Sequence, residues 1–156
     1  MIKLCKGDLL KSDCDIICHQ VNLLGIFGGG LAKQIADLYP ECEQKCREFI
    51  KYINKKEKDL LGLYHLYQYK NTILGSNGIK LIANCFSQNE HFETDYKALK
   101  EIVITIKYLT AIIGLKTIGI PKNYGCGIAK GDWNKVREIW ANEFKDSTTE
   151  LQIWEL

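Results

Sequence analysis

Short apolar strands alternate with longer amphipathic stretches along this chain, and that alternation restricts the fold more than any other feature. Strands are predicted over residues 2–5, 15–21, 62–69, 79–86, 116–120 and 149–154. Helices are predicted over 29–39 and 41–55, with Pro40 stopping the first. In the second, Cys42, Cys46, Phe49 and Ile53 recur about one turn apart, the spacing of a buried helical stripe. A third helix over 95–113 shows Ile102, Ile106, Leu109 and Ile113 on one face and closes at Gly114. Asp132 reads as the N-cap of a fourth that runs to about Phe144, and Gly75-Ser76-Asn77-Gly78 reads as a turn. Strands interleaved with helices imply an α/β chain of three α/β/α layers, in which ligands sit beyond the carboxyl ends of the strands. A length of 156 residues is that of one domain, spanning 1–156.

Two glycine-bearing loops follow buried strands. In the first, the apolar run 16–18 ends in His19, Gln20 and Asn22, and Gly28-Gly29-Gly30 then open a helix with Ile35 and Leu38 on its buried stripe. Glycines at a strand-to-helix turn let backbone N–H groups approach a ligand, and the helix N-terminus adds partial positive charge, so an anion such as phosphate is favoured. A tight turn serving chain geometry alone is the competing reading. The second loop is Pro121-Lys122-Asn123-Tyr124-Gly125-Cys126-Gly127-Ile128. In a doubly wound sheet both loops face one crevice and can grip two ends of a phosphate-rich ligand. Neither carries G-x-x-x-x-G-K-[ST] or the dinucleotide fingerprint, which argues against ATP hydrolysis and nicotinamide redox chemistry.

Composition removes other classes. A net charge of +2, with basic residues scattered, gives no reason to expect strong nucleic-acid binding. Seven cysteines without a CxxC pair point to reduced thiols rather than a disulfide framework or a metal site. Cys42 and Cys46 would form half a metal site, and nothing near them in sequence supplies the rest. Residues 1–4 lack a signal-peptide apolar run and no stretch is long enough to span a membrane, so a cytoplasmic monomer without membrane contact is expected.

The ordered motifs resemble the macro domain family over essentially the whole chain. Gly7-Asp8-Leu9 is similar to its early motif, Gly28-Gly29-Gly30-Leu31-Ala32 to its first phosphate loop, and Asn22 to its distal-ribose asparagine. Residues 120–128 followed by Asp132-Trp133 resemble the second phosphate loop, and Ile153-Trp154-Glu155-Leu156 the last strand. The resemblance implies a mixed central sheet, ADP-ribose or an ADP-ribosylated substrate as partner, and no cofactor or metal. It implies adenine contacts for Asp8 and Trp154, and it extends ligand binding to Leu9, Gln20, Gly28, Gly29, Gly30, Leu31, Asn123, Tyr124, Gly125, Cys126, Gly127 and Ile128. Within the family the chain looks nearest the ADP-ribose-1''-phosphate phosphatases and small ADP-ribosyl hydrolases, and its Pro-x-x-x-Gly-Cys-Gly-Ile is similar to terminal ADP-ribose glycohydrolases. The lysine and aspartate of that last group would fall near Cys85 and Ala129, so the chain departs from the pattern there.

The expected activity is hydrolysis of a bond at the distal ribose, with a non-catalytic reader of ADP-ribose as the alternative. His19 and Asn22 are the candidate catalytic residues: imidazole titrates near neutrality and suits general acid–base work, and an asparagine can orient water. Structural readings stand beside these, with His19 a satisfied strand-end histidine, Asp8 a turn aspartate and Asn22 a loop hydrogen-bonder. His91 is a secondary candidate, His65 reads as structural, Tyr124 as a possible cover for the ligand, and Cys126 as a contributor of backbone rather than thiolate.

Overall fold

The computed structural model describes residues 1–69 and 80–156. Six strands, β1 (Ile2–Lys6), β2 (Ile16–Val21), β3 (Tyr64–Tyr69), β4 (Lys80–Phe86), β5 (Thr117–Pro121) and β6 (Glu150–Glu155), form one sheet in the order β1-β6-β5-β2-β4-β3. Five run parallel and β3 runs antiparallel to β4, so the sheet is mixed. Four helices, α1 (Gly30–Leu38), α2 (Pro40–Lys55), α3 (Tyr96–Ile113) and α4 (Trp133–Phe144), cover its faces.

Alternation along β2 builds both sides. Ile17 and Val21 pack with Ile35 of α1 and Cys42, Cys46 and Ile50 of α2. Ile16 and Cys18 turn the other way, onto Leu99, Ile102 and Ile106 of α3 and Val136, Trp140 and Phe144 of α4. Sheet residues buried on both faces explain why β2 reads as a nearly unbroken apolar run. The expected three layers are therefore present.

Local chemistry sets the helix ends. The carboxylates of Asp95 and Asp132 accept from the amides of Ala98 and Asn134, each at 2.9 Å, which caps α3 and α4. Pro40 does more than stop α1: it is the first residue of α2, where its missing N–H costs no hydrogen bond. Some stripe assignments change. Leu38 is exposed rather than buried, because α1 packs through Ile35. Ile50 is buried where Phe49 was expected, and Phe49 stacks half-buried on Phe86. Ile113 is exposed and Leu109 half-buried, because the core face of α3 runs through Leu99, Ile102, Val103 and Ile106. A one-turn 3-10 helix at Leu9–Lys11, capped by Asp8, was not anticipated. The expected turn at residues 75–78 and the strand start at 79 lie outside the described residues.

Among the described residues no helix is long and apolar enough to cross a membrane, and no cluster of His, Cys, Asp or Glu is arranged to hold a metal ion. The carboxyl ends of the parallel strands share one edge, and the segments after them (7–8, 22–29, 87–95 and 122–132) gather there. That edge holds the site.

Candidate functional site

Two rows of backbone amides frame the centre of this edge. At the start of α1, Gly29 caps the helix with extended backbone and no side-chain acceptor, and no acidic residue occupies the first turn. The amides of Gly28, Gly29, Gly30, Leu31 and Ala32 consequently have no partner among the described residues. In the second loop the amides of Gly127, Ile128 and Ala129 are likewise unpartnered. The amide of Cys126 is not free, since it donates to the Asn123 carbonyl at 2.9 Å, and its thiol donates to the Tyr124 carbonyl. Cys126 therefore shapes the turn instead of offering its N–H, and burial raises its thiol pKa, away from thiolate chemistry.

Between the rows lies a compartment of about 440 Å³, lined among others by His19, Gln20, Gly29, Gly30, Asn123 and Gly127. It shares Leu31, Pro121, Lys122 and Asn123 with a second compartment of about 260 Å³, where Asp8, Leu9, Gln34 and Trp154 form the wall. At its other end it shares Gln20, Gly29, Ala32, Gln88 and Ile128 with a third of about 240 Å³, reached by Asn22, Ile26, Gly28 and Phe92. The three make one elongated cleft with aromatic, amide-rich and uncharged sections.

At the Trp154 end, the indole N–H donates to Gln152 Oε1 at 3.0 Å, which fixes the ring. Gly7 has φ +127, and a Cβ there would lie 3.5 Å from the Trp154 ring, so the turn and the indole fit together. Asp8 lines this section while one carboxylate oxygen accepts from the Leu10 amide at 2.9 Å. Both expected roles of Asp8 are thus compatible. Lys122 Nζ bonds Glu155 Oε1 at 2.8 Å on the rim, and this contact lowers the Glu155 pKa.

The central floor is closely packed and hydrogen-bonded. Gly125 has φ +67, and a Cβ there would meet Thr94 Oγ1 at 2.7 Å and Gln20 Nε2 at 2.9 Å. The Thr94 hydroxyl donates to the Gly125 carbonyl at 2.6 Å, and Gln20 Nε2 donates to Ser87 Oγ at 3.0 Å. Tyr124, expected as a possible cover, is buried against Trp140 with its hydroxyl 2.9 Å from Ser87 Oγ. Its ring belongs to the core, and its contribution to the cleft is backbone.

His19 borders the same section but is 2% exposed. Its Nε2 lies 2.6 Å from Asn84 Oδ1, Nδ1 has no partner among the described residues, and Phe27 packs edge-on at 5.4 Å. Burial pushes the imidazole pKa down to about 4, with the Asn84 contact acting in the opposite direction. The near-neutral titration expected from sequence is therefore corrected: at pH 7 His19 is neutral. Asn22 spends its side chain on its own loop, with Oδ1 accepting from Leu24 and Ile26 amides at 3.1 Å each and Nδ2 donating to the Ile26 carbonyl at 2.8 Å. His65 is half-buried against Phe49, and His91 is exposed on the loop after β4.

The sequence left Gln34, Gln88, Lys122 and Phe92 unassigned, although all line the cleft. Phe92, at φ +61, carried no glycine-like signal. It is held by Asn89, whose Oδ1 accepts from the amides of His91 and Glu93.

No family model matches the sequence, and no curated protein matches it. Solved structures do. The macrodomain of Mycobacterium tuberculosis DarG is 20% identical, with a TM-score of 0.82 over 100% of this chain and 98% of that one. The chain has the macrodomain fold. The DarG macrodomain of Thermus aquaticus superposes with a TM-score of 0.80 at 16% identity, covering 100% of this chain and 99% of its own. Thermosipho africanus DarTG, determined in complex with ADP-ribose, gives a TM-score of 0.80 at 19% identity over 97% of this chain and 41% of that longer one. On the macrodomain scaffold the cleft occupies the carboxyl edge, where an open α/β sheet places its ligands.

Proposed function

We propose that this cleft binds ADP-ribose, with adenosine between Asp8, Leu9 and Trp154, the diphosphate between the two amide rows, and the distal ribose toward Asn22. The carrying observation is the pair of unpartnered amide rows, 29–32 and 127–129, on one compartment. Backbone donors at an uncapped helix start are suited to an anion and need no reorganisation to meet it. The shared fold with the ADP-ribose complex of Thermosipho africanus DarTG supports the same ligand. Aromatic cover at one end and an uncharged far end suit a nucleoside diphosphate joined to a sugar.

Hydrolysis at the distal ribose is the second reading, as an ADP-ribose-1''-phosphate phosphatase or a mono-ADP-ribosyl hydrolase. It calls on His19, a neutral imidazole bordering the central section whose unpaired Nδ1 is buried and would have to turn toward the cleft to accept from a water or hydroxyl. A non-catalytic reader needs binding alone. Calorimetry with ADP-ribose tests the first reading: saturable one-to-one binding that Trp154→Ala weakens supports it, and no binding refutes it. Turnover of ADP-ribose-1''-phosphate or of a mono-ADP-ribosylated protein, lost in His19→Ala, separates hydrolase from reader.

A further inference from the structure

Where the central section meets the distal one, a chain of carboxamides leaves one acceptor for the ligand. Gln88 lines both sections and pairs with Thr94 in a short antiparallel bridge after β4. Its orientation follows from the backbone outward. The Ser87 carbonyl can only accept, and the Thr94 hydroxyl already spends its proton on the Gly125 carbonyl at 2.6 Å. Gln20 must therefore turn its NH2 to both, and its Nε2 lies 3.3 Å from the Ser87 carbonyl oxygen and 3.2 Å from Thr94 Oγ1. That turns Gln20 Oε1 to Gln88, where it accepts from Nε2 at 3.0 Å. Gln88 Oε1 is left without a partner among the described residues. It is also reachable: Gln88 is half-buried, and this oxygen is not among the unpaired polar atoms shut away from solvent, as His19 Nδ1 is.

The other side-chain acceptors around the distal section are occupied, Gln20 Oε1 by Gln88 and Asn22 Oδ1 by the amides of Leu24 and Ile26. None of the described residues lining that section is charged. We infer that Gln88 recognises the sugar beyond the diphosphate, its Oε1 accepting a hydroxyl of the distal ribose. This rests on the ADP-ribose reading and deepens it. The amide rows only donate, so they hold phosphate oxygens and leave a hydroxyl proton unmet. Gln88 Oε1 only accepts, so it meets a sugar hydroxyl and repels a terminal phosphate, whose oxygen lone pairs would face its own. The cleft therefore selects a diphosphate capped by a sugar over a diphosphate that ends there. An amide oxygen is too weak a base to take a proton from water, so Gln88 binds and orients and does not act as a general base.

Calorimetry with two ligands tests this: ADP-ribose, and the methyl ester of ADP, which keeps the diphosphate and its charge and lacks the sugar hydroxyls. The wild type should prefer ADP-ribose. Gln88→Leu keeps the size and removes the acceptor. Its loss of affinity for ADP-ribose should exceed its loss for the methyl ester by about three- to tenfold, the value of one hydrogen bond. Equal losses for both ligands would mean that Gln88 only shapes the loop and would overturn the assignment, as would a wild type without preference. If Gln88→Leu does not fold, carbon-13 NMR of the wild type decides. The Gln88 Cδ resonance should move downfield with ADP-ribose, as a carbonyl carbon does when its oxygen accepts a hydrogen bond, and stay in place with the methyl ester. A Cδ that responds to neither ligand, or to both alike, overturns it. Failure of the ADP-ribose reading is distinct: the wild type then binds neither ligand, and the assignment falls with it.

Discussion

Substituting Gly125 by Ala tests whether the second loop is built by backbone geometry, as the cleft requires. Gly125 has φ +67, where an L side chain costs about 1–2 kcal/mol. The added Cβ would stand 2.7 Å from Thr94 Oγ1 and 2.9 Å from Gln20 Nε2, so one of them must move. Moving Thr94 breaks its 2.6 Å bond to the Gly125 carbonyl, and a hydrogen bond of this kind contributes about 1 kcal/mol. Together these give about 2–3 kcal/mol of destabilisation, or roughly 4–12 °C in Tm for a chain of this size. Gly127→Ala is the control, because nothing lies within 4 Å of its Cβ position. Urea titration and thermal melting of both variants measure the difference, and ADP-ribose binding should weaken in Gly125→Ala. Gly125→Ala melting within about 1 °C of Gly127→Ala, on a scale where 1 kcal/mol shifts Tm by several degrees, would refute the reasoning.

Acid should destabilise the chain through His19. Its folded pKa of about 4 lies below the ordinary 6.5, so between those values the unfolded state binds the proton and stability falls as pH drops. The full loss is about 3 kcal/mol, reached near pH 4, and His65, also lowered by burial, acts in the same direction. His19→Gln should flatten much of the slope in denaturant titrations from pH 7 to 4.5, and an equally steep slope would contradict the assignment. Asn22→Ala removes three loop hydrogen bonds and should cost about 1–2 kcal/mol, with a larger proportional loss of ADP-ribose affinity because Asn22, Ile26 and Gly28 wall the distal section. Unchanged affinity by calorimetry would remove Asn22 from the site.

The element order was readable because punctuation is local. Asp95, Gly114, Pro40 and Asp132 mark helix ends through groups only a few residues away. The unbroken apolar β2 likewise announces a strand covered on both faces. The site was legible as far as it is made of backbone, since glycines at 28–30 and at 125 and 127 declare close approach. Side-chain states were not legible, because they depend on partners far away in sequence. The low pKa of His19 comes from burial in its own core and the fixed ring from Asn84, 65 residues away. Tyr124 joins the core through Ser87 and Trp140, and the exposed Phe92 depends on how Asn89 folds its loop. Gln34, Gln88 and Lys122 reach the cleft only once the strands take their order.

A crystal structure of the chain grown with ADP-ribose addresses the central claim most directly. The diphosphate should lie between the amides of residues 29–32 and 127–129, with adenine against Trp154 and the distal ribose beside Asn22. ADP-ribose seated elsewhere, or a diphosphate held by side chains with those amides unengaged, would contradict it.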